Sequence, residues 1–165
     1  MTNPIARSRR GFWQPHDQLA RELAYPAQLG AEGDGGYVVT FPDFGVGATQ
    51  GDSRDEALVQ AADLLETMVA NYMAEGWDLP TPSAPAGRPL VRLAPLVAAK
   101  AEIYHAMRAA GISKAELARR VGISPQQAQR LFDIHHASRL DQIDAALAAL
   151  GRRLVVTTEA AQALT

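Results

Sequence analysis

Ile112-Ser113-Lys114-Ala115-Glu116-Leu117-Ala118-Arg119-Arg120-Val121-Gly122-Ile123-Ser124 is the stretch on which the fold reading turns. Ser113 with Glu116 fits a capping box, in which each side chain bonds the other's backbone N–H. It starts a helix over Lys114–Arg120, and Gly122 ends it by permitting a left-handed turn. Ser124-Pro125-Gln126-Gln127 then opens a second helix, with proline at the first helical position where its missing N–H costs little. That helix is expected to run to about Asp133. Leu117, Val121, Ile123, Ala128 and Leu131 supply an inward face, and Ala118 is small enough to let two helices cross closely. Gln126, Gln127, Gln129 and Arg130 are left outward. Glutamine can bond adenine bidentately and arginine can bond guanine.

Two capped helices joined by a glycine turn resemble the helix-turn-helix of the phage-repressor-like (XRE) class. Carried over position by position, the resemblance implies that Lys114 and Ser124, at helix N-termini, contact phosphates. Gln126 and Arg130 would read base edges in the major groove, and Gln127 would lie at the edge of that contact. The same geometry also occurs in helical bundles with a solvated polar face. Agreement between caps, turn, inward face and polar face favours DNA.

Working outward, Leu96, Ala99, Ile103, Tyr104 and Met107 mark an amphipathic helix closed by Gly111. His135 to Ser138 reads as a loop. Leu140, Ile143, Ala146, Leu147 and Leu150 mark another helix, closed by Gly151, and Arg153 to Thr158 reads as a short strand. Before Pro95 the character differs. Tyr25 to Leu29 is a strand candidate, Glu32 to Gly36 is a turn, and Tyr37 to Phe41 is rich in β-branched and aromatic residues. Val46 to Gln50 is a third strand. Ser53 with Glu56 caps a helix whose apolar positions run from Leu58 to Tyr72 and which stops at Gly76. Trp77 to Gly87, with three prolines, is a loop or extended linker, and Pro89 to Leu93 is a last strand. The expected class is α+β: a small three- to four-stranded sheet with one helix, then an all-α unit with a short C-terminal strand. The expected parts are an N-terminal arm at 1–22, an α+β domain at 23–94, a helical domain at 95–158 and a tail at 159–165.

The chain has 165 residues, 47% of them apolar, and no cysteine. Disulfides, thiolate metal sites and thiol nucleophiles are excluded. No apolar run approaches the roughly 18–20 residues of a membrane span, and the first residues lack the apolar core of a signal peptide. The expectation is a soluble, cytoplasmic protein. The net charge of −2 hides a polarity. Residues 1–90 hold 6 Lys+Arg against 12 Asp+Glu, whereas residues 91–165 hold 10 against 6. An acidic half suits a basic protein partner and a basic half suits a polyanion. Asp34, Asp43, Asp52 and Asp55 are the available carboxylates for metal-assisted hydrolysis. Asp34 sits in a glycine turn, and Asp52 and Asp55 have a capping explanation, so no catalytic role is expected. His135 and His136 are adjacent, hence poor joint ligands, and no metal or cofactor is expected.

The two units in this order resemble the HicB antitoxin family over roughly residues 25–158. Gly35-Gly36-Tyr37-Val38-Val39-Thr40-Phe41-Pro42-Asp43 is similar to its hairpin, and Thr49-Gln50-Gly51-Asp52-Ser53 with Glu56-Ala57 to its helix entry. Pro95 to Lys100 and Leu140 to Gly151 are similar to its longer members. Where the family often has PDLPGC after the hairpin, this chain has Pro42-Asp43-Phe44-Gly45-Val46-Gly47. The resemblance implies a partial RNase H-like first domain that covers the active site of a small basic HicA-like mRNA-cleaving toxin. It implies a second domain that represses the operon at its operator DNA, in a homo-dimer or tetramer. The toxin surface is expected at the exposed hairpin around Asp34, Tyr37, Asp43 and Phe44. The alternative is a stand-alone helix-turn-helix regulator whose first domain dimerises or senses a small molecule.

Overall fold

The computed structural model of the chain describes residues 23–33, 35–158 and 160. The arm at 1–22, Asp34 and all of the tail at 159–165 except residue 160 lie outside the described residues. Among the described residues, five strands and five helices follow one another. Strands β1 (Ala24–Pro26), β2 (Gln28–Ala31), β3 (Tyr37–Thr40) and β4 (Ala48–Gly51) precede helix α1 (Arg54–Glu75) and strand β5 (Leu90–Arg92). Helices α2 (Pro95–Ala109), α3 (Lys114–Val121), α4 (Pro125–Arg130) and α5 (Leu140–Ala149) follow.

The class is α+β, with all strand pairs antiparallel. The strands form two sheets rather than one: β2-β3-β4, and β1 with β5. The single strand expected at Tyr25 to Leu29 is therefore two. Pro26 has no N–H to donate, and there the chain leaves the edge of β5 and crosses to β3. Ala27 keeps the last link, donating its N–H to Pro89 O at 2.9 Å. Gly30 lies opposite Val38 and Ala31 opposite Tyr37, and the turn between them is closed by Glu32 N–H donating to Gly36 O at 2.8 Å.

Helix α1 lies across the larger sheet because its apolar residues recur at helical spacing. Ala57, Ala61, Leu65, Met68, Val69 and Met73 are all buried. They meet Val39, Phe41, Phe44 and Tyr25 in one core. Each large side chain so buried contributes about 1.5–3 kcal/mol. Close approach of helix and sheet needs Gly51: a Cβ there would stand 2.5 Å from Ala57 N. Ser53 caps the helix by accepting from Glu56 N–H at 3.2 Å. The return bond from Glu56 goes to Asp52 N–H at 3.0 Å, one residue before the expected partner.

The proline-rich stretch at 77–87 is not a free linker. Tyr25 Oη donates to Pro80 O at 2.8 Å, Ser83 N–H donates to Asp43 Oδ2 at 3.0 Å, and Arg88 Nε donates to Pro85 O at 3.1 Å. The strap lies against the sheet unit and feeds β5. In the helical half, Val97, Ile103, Tyr104 and Met107 of α2 join Leu117, Leu131, Phe132, Ile143 and Leu147 in the same continuous core. Tyr104 Oη donates to Trp77 O at 2.8 Å, tying α2 to the end of the first unit.

Two boundaries differ from expectation. Helix α4 ends at Arg130 rather than near Asp133, because Leu131 and Phe132 donate to the carbonyls of Ala128 and Gln129, three residues back, and tighten the chain into a turn. The short C-terminal strand at Arg153 to Thr158 is not formed. Residues 152–158 are irregular, with Val155 66% and Val156 67% exposed. β-branched residues favour a pleated surface but do not supply the hydrogen-bonded neighbour that a strand requires, and no described strand lies beside them.

Candidate functional site

The polar face of α4 is built from the turn upward. Leu117, Ala118, Ala128 and Leu131 are buried beneath it, so helices α3 and α4 are held by their apolar sides. Gly122 at φ 77° takes the left-handed conformation, and both Gly122 and Ile123 donate their N–H groups to Ala118 O. Ser124 then makes the complete capping box that its sequence suggested. Gln127 N–H donates to Ser124 Oγ at 3.1 Å, and Ser124 N–H donates to Gln127 Oε1 at 2.9 Å. The Ser113 box is one-sided. Its hydroxyl accepts from Glu116 N–H at 3.1 Å, but the Glu116 carboxylate is taken by Arg119 at 2.7 Å and Arg120 at 2.9 Å. Those two guanidiniums hold the Glu116 carboxyl down to about 2.

Gln126, Gln127, Gln129 and Arg130 all lie exposed on α4 or its first turn. The expected set is thus brought to one face, with different amounts of freedom. Ser124 Oγ and Gln127 Oε1 are engaged in the cap, so a nucleic acid would meet the Gln127 amide through its N–H2. Lys114 is half-buried, with Nζ 5.0 Å from the centre of the Phe132 ring. Gln126, Gln129 and Arg130 are outward side chains whose chemistry suits base edges. An open groove beside this face, between α4 and α5, is lined in part by Val121, Ile123, Gln127, Arg130, His136 and Asp141.

Lys100 is the residue that sequence reasoning missed. It is fully buried in α2, and its ammonium donates to three main-chain carbonyls: Arg130 at 3.0 Å, Asp133 at 2.5 Å and His136 at 2.6 Å. Burial pushes its pKa down, and the charge of Asp133 partly opposes that. A signal existed. Lys100 falls in phase with the stripe Leu96, Ile103, Tyr104, Met107, where a charge on an inward face needs partners.

The hairpin is placed differently from expectation. Phe44 is 5% exposed and belongs to the core, not to an exposed surface. Its ring stands 4.8 Å from Tyr25, 5.2 Å from Tyr72 and 6.4 Å from Phe41 between centres. The tight turn Phe41–Gly45 folds it inward, with Phe44 and Gly45 N–H groups donating to Phe41 O. Asp43 is half-buried and accepts from Ser83 N–H, so it fastens the proline strap. Tyr37 is half-buried at the far end of β3. There Glu32, Gly35, Gly36, Tyr37, Gln50 and Asp52 line a polar cleft of about 200 Å³. The expected hairpin residues are therefore not brought together: Tyr37 lies at this end, Asp43 and Phe44 at the other.

Asp52 and Asp55 flank the N-cap of α1. Among the described residues no three His, Asp or Glu side chains come together to hold a metal ion. Among the same residues no helix is long and apolar enough to cross a membrane.

Residues 24–102 match the family model described as a HicB-like antitoxin of bacterial toxin-antitoxin system, and the relatives that match most of the chain are antitoxins. Antitoxin HicB 1 of Photorhabdus laumondii is 34% identical over 92% of this chain and 96% of its own length. Antitoxin HicB of Escherichia coli strain K12 is 36% identical over 80% of this chain and 96% of its own. Antitoxin HicB of Pseudomonas fluorescens is 39% identical over 67% of this chain and 77% of its own. The chain belongs to the HicB antitoxin family.

Proposed function

We propose that this antitoxin neutralises a HicA-like mRNA-cleaving toxin with its first unit, residues 23–94, and represses its own operon with residues 95–158. The observation that carries the second half is the outward face of α4, where Gln126, Gln129 and Arg130 stand exposed behind a complete N-cap. The helix pair α3–α4 is read as a helix-turn-helix with α4 in the major groove. Lys114 and the Ser124 end of α4 face phosphates, Gln126 and Arg130 read bases, and Gln127 contributes its amide N–H2. Repression by this device calls for two copies, since half-sites stand about 34–36 Å apart. A homo-dimer or tetramer in the cytoplasm is the working form.

For the toxin, the sheet-and-helix layer supports a partial RNase H-like unit acting as a binding scaffold. We put the toxin surface at the Tyr37 end of the hairpin, with Glu32 and Asp52 beside it; Asp34, expected in the same surface, lies outside the described residues. Asp43 and Phe44 stand at the other end of the sheet unit, where they fasten the strap and fill the core, and are not part of that surface. Acidic groups around a polar cleft suit a basic partner. The test is a binding titration on a duplex of the DNA immediately upstream of the protein's own gene. Arg130→Ala is expected to cost about 1–3 kcal/mol and to relax preference at one base position. An unchanged base preference contradicts the assignment. Binding of DNA without any toxin partner would instead make the chain a stand-alone regulator.

A further inference from the structure

We infer that Lys100 is the positioning residue for α4: its buried ammonium binds the carbonyl end of that helix and the loop after it, and so fixes where Arg130 points. The inference rests on the reading of α4 as the DNA-contacting helix. Helix α4 has six residues, too few to hold its own shape in isolation. Its N-terminus is well capped, but its C-terminus has no glycine turn. Leu131 at the C-cap stays right-handed. The last carbonyls of a helix carry partial negative charge and want a cation or donor. Lys100 supplies one from a different helix. Its three N–H donors meet three carbonyls, at Arg130, Asp133 and His136, which satisfies the ammonium completely. Its hydrogen bonds all go to main-chain carbonyls, and the charge of Asp133 favours the ammonium from nearby. The three acceptors span the last residue of α4 and the turn that leads to α5. One side chain therefore sets both the pitch of α4 and the course of residues 131–136. Arg130 is itself one of the anchored residues, so its side chain starts from a main-chain position that Lys100 holds.

The experiment compares the full-length protein with Lys100→Met, which keeps the stem and removes the ammonium, and with Lys100→Arg. Hydrogen exchange of amides 128–138 is measured against amides of α1, and affinity is measured for the upstream DNA and for a non-specific duplex of equal length. Lys100→Met is expected to speed exchange at 128–138 at least tenfold, with α1 unchanged. Its affinity for the upstream DNA should fall at least tenfold, while non-specific affinity, which depends on charge near phosphates, stays within twofold. Lys100→Arg is expected not to restore either readout, because a planar fork cannot meet three converging carbonyls. Unchanged exchange at 128–138, or faster exchange with unaltered discrimination between the two DNAs, overturns the inference. If the wild-type protein shows no preference for the upstream DNA, the DNA reading itself fails, and with it the positioning role, whatever exchange shows. If Lys100→Met does not fold, nitrogen-15 NMR of the wild-type protein decides. A protected Lys100 ammonium with scalar couplings to the three carbonyls supports the clamp, and a freely exchanging one refutes it.

Discussion

Replacing Phe44 by alanine should unfold the first unit's core rather than strip a binding surface. Phe44 is 5% exposed, and its ring touches three aromatic neighbours at 4.8 to 6.4 Å between centres. Truncating a buried phenylalanine costs about 3–5 kcal/mol, combining lost transfer energy with the cavity left behind. The ring pairs with Tyr25 and Tyr72 are tilted and edge-on, geometries in which each pair adds about 0.5–1.5 kcal/mol beyond area. Those pair energies fall within the truncation figure, so about 4 kcal/mol is the central expectation. Against a total stability of about 5–15 kcal/mol, this is a large fraction. Urea denaturation followed by far-UV circular dichroism reads it as a lower midpoint with an unchanged slope. Phe44→Leu should recover most of the loss, because an apolar side chain of similar reach still fills the site. A loss below about 1 kcal/mol in Phe44→Ala, with toxin affinity abolished, would refute the packing argument and return Phe44 to the surface.

Three further outcomes are expected. Gly51→Ala should destabilise the protein by at least about 1 kcal/mol, read as a lower melting temperature, because its Cβ would meet the Ala57 backbone at 2.5 Å and force α1 away from the sheet; an unchanged melting temperature contradicts that contact. Tyr25→Phe should cost about 1–3 kcal/mol by leaving Pro80 O without its donor, measurable by urea denaturation. For Glu116, the folded carboxyl lies at about 2, below its ordinary 4.5. Its contribution is therefore present above pH 4.5 and fades as pH falls toward 2. Protection factors of α3 amides, each taken against the intrinsic exchange rate at the same pH, should fall as pH drops through that window, and Glu116→Gln should flatten the dependence.

Much of this fold was legible because local chemistry and global packing agree. Ser53, Ser113 and Ser124 each cap a helix as their spacing with Glu or Gln suggested, and Gly76 and Gly122 end helices in the left-handed conformation. What was not legible depends on contacts far apart in sequence. Pro26 divides one apparent strand between two sheets, which only the partner strands β5 and β3 reveal. Arg153 to Thr158 has strand composition but no neighbour. Phe44 follows a turn that looks exposed, yet its destination is set by Tyr25 and by Tyr72, 28 residues on. Lys100 falls in phase with the apolar stripe of its helix, but what compensates its charge there is fixed by acceptors 30 to 36 residues away.

The helix pair and the hairpin differ in the same way. The α4 face follows from spacing within one short segment, so Gln126, Gln127 and Arg130 could be read directly. A toxin surface is a property of assembled strands. Tyr37 and Asp52 come together only because β3 pairs with β4, setting Tyr37 opposite Gly51.

The proposed role is to bind and silence a basic ribonuclease toxin through the acidic end of the sheet unit. The most direct measurement is a calorimetric titration of the chain with a small basic HicA-like protein, sought in the reading frame next to its gene, alongside RNA cleavage by that protein. A saturable stoichiometric complex that abolishes cleavage is expected, and a markedly weaker one with Glu32→Lys plus Asp52→Lys in a chain that still folds. No heat of binding and undiminished cleavage would contradict it.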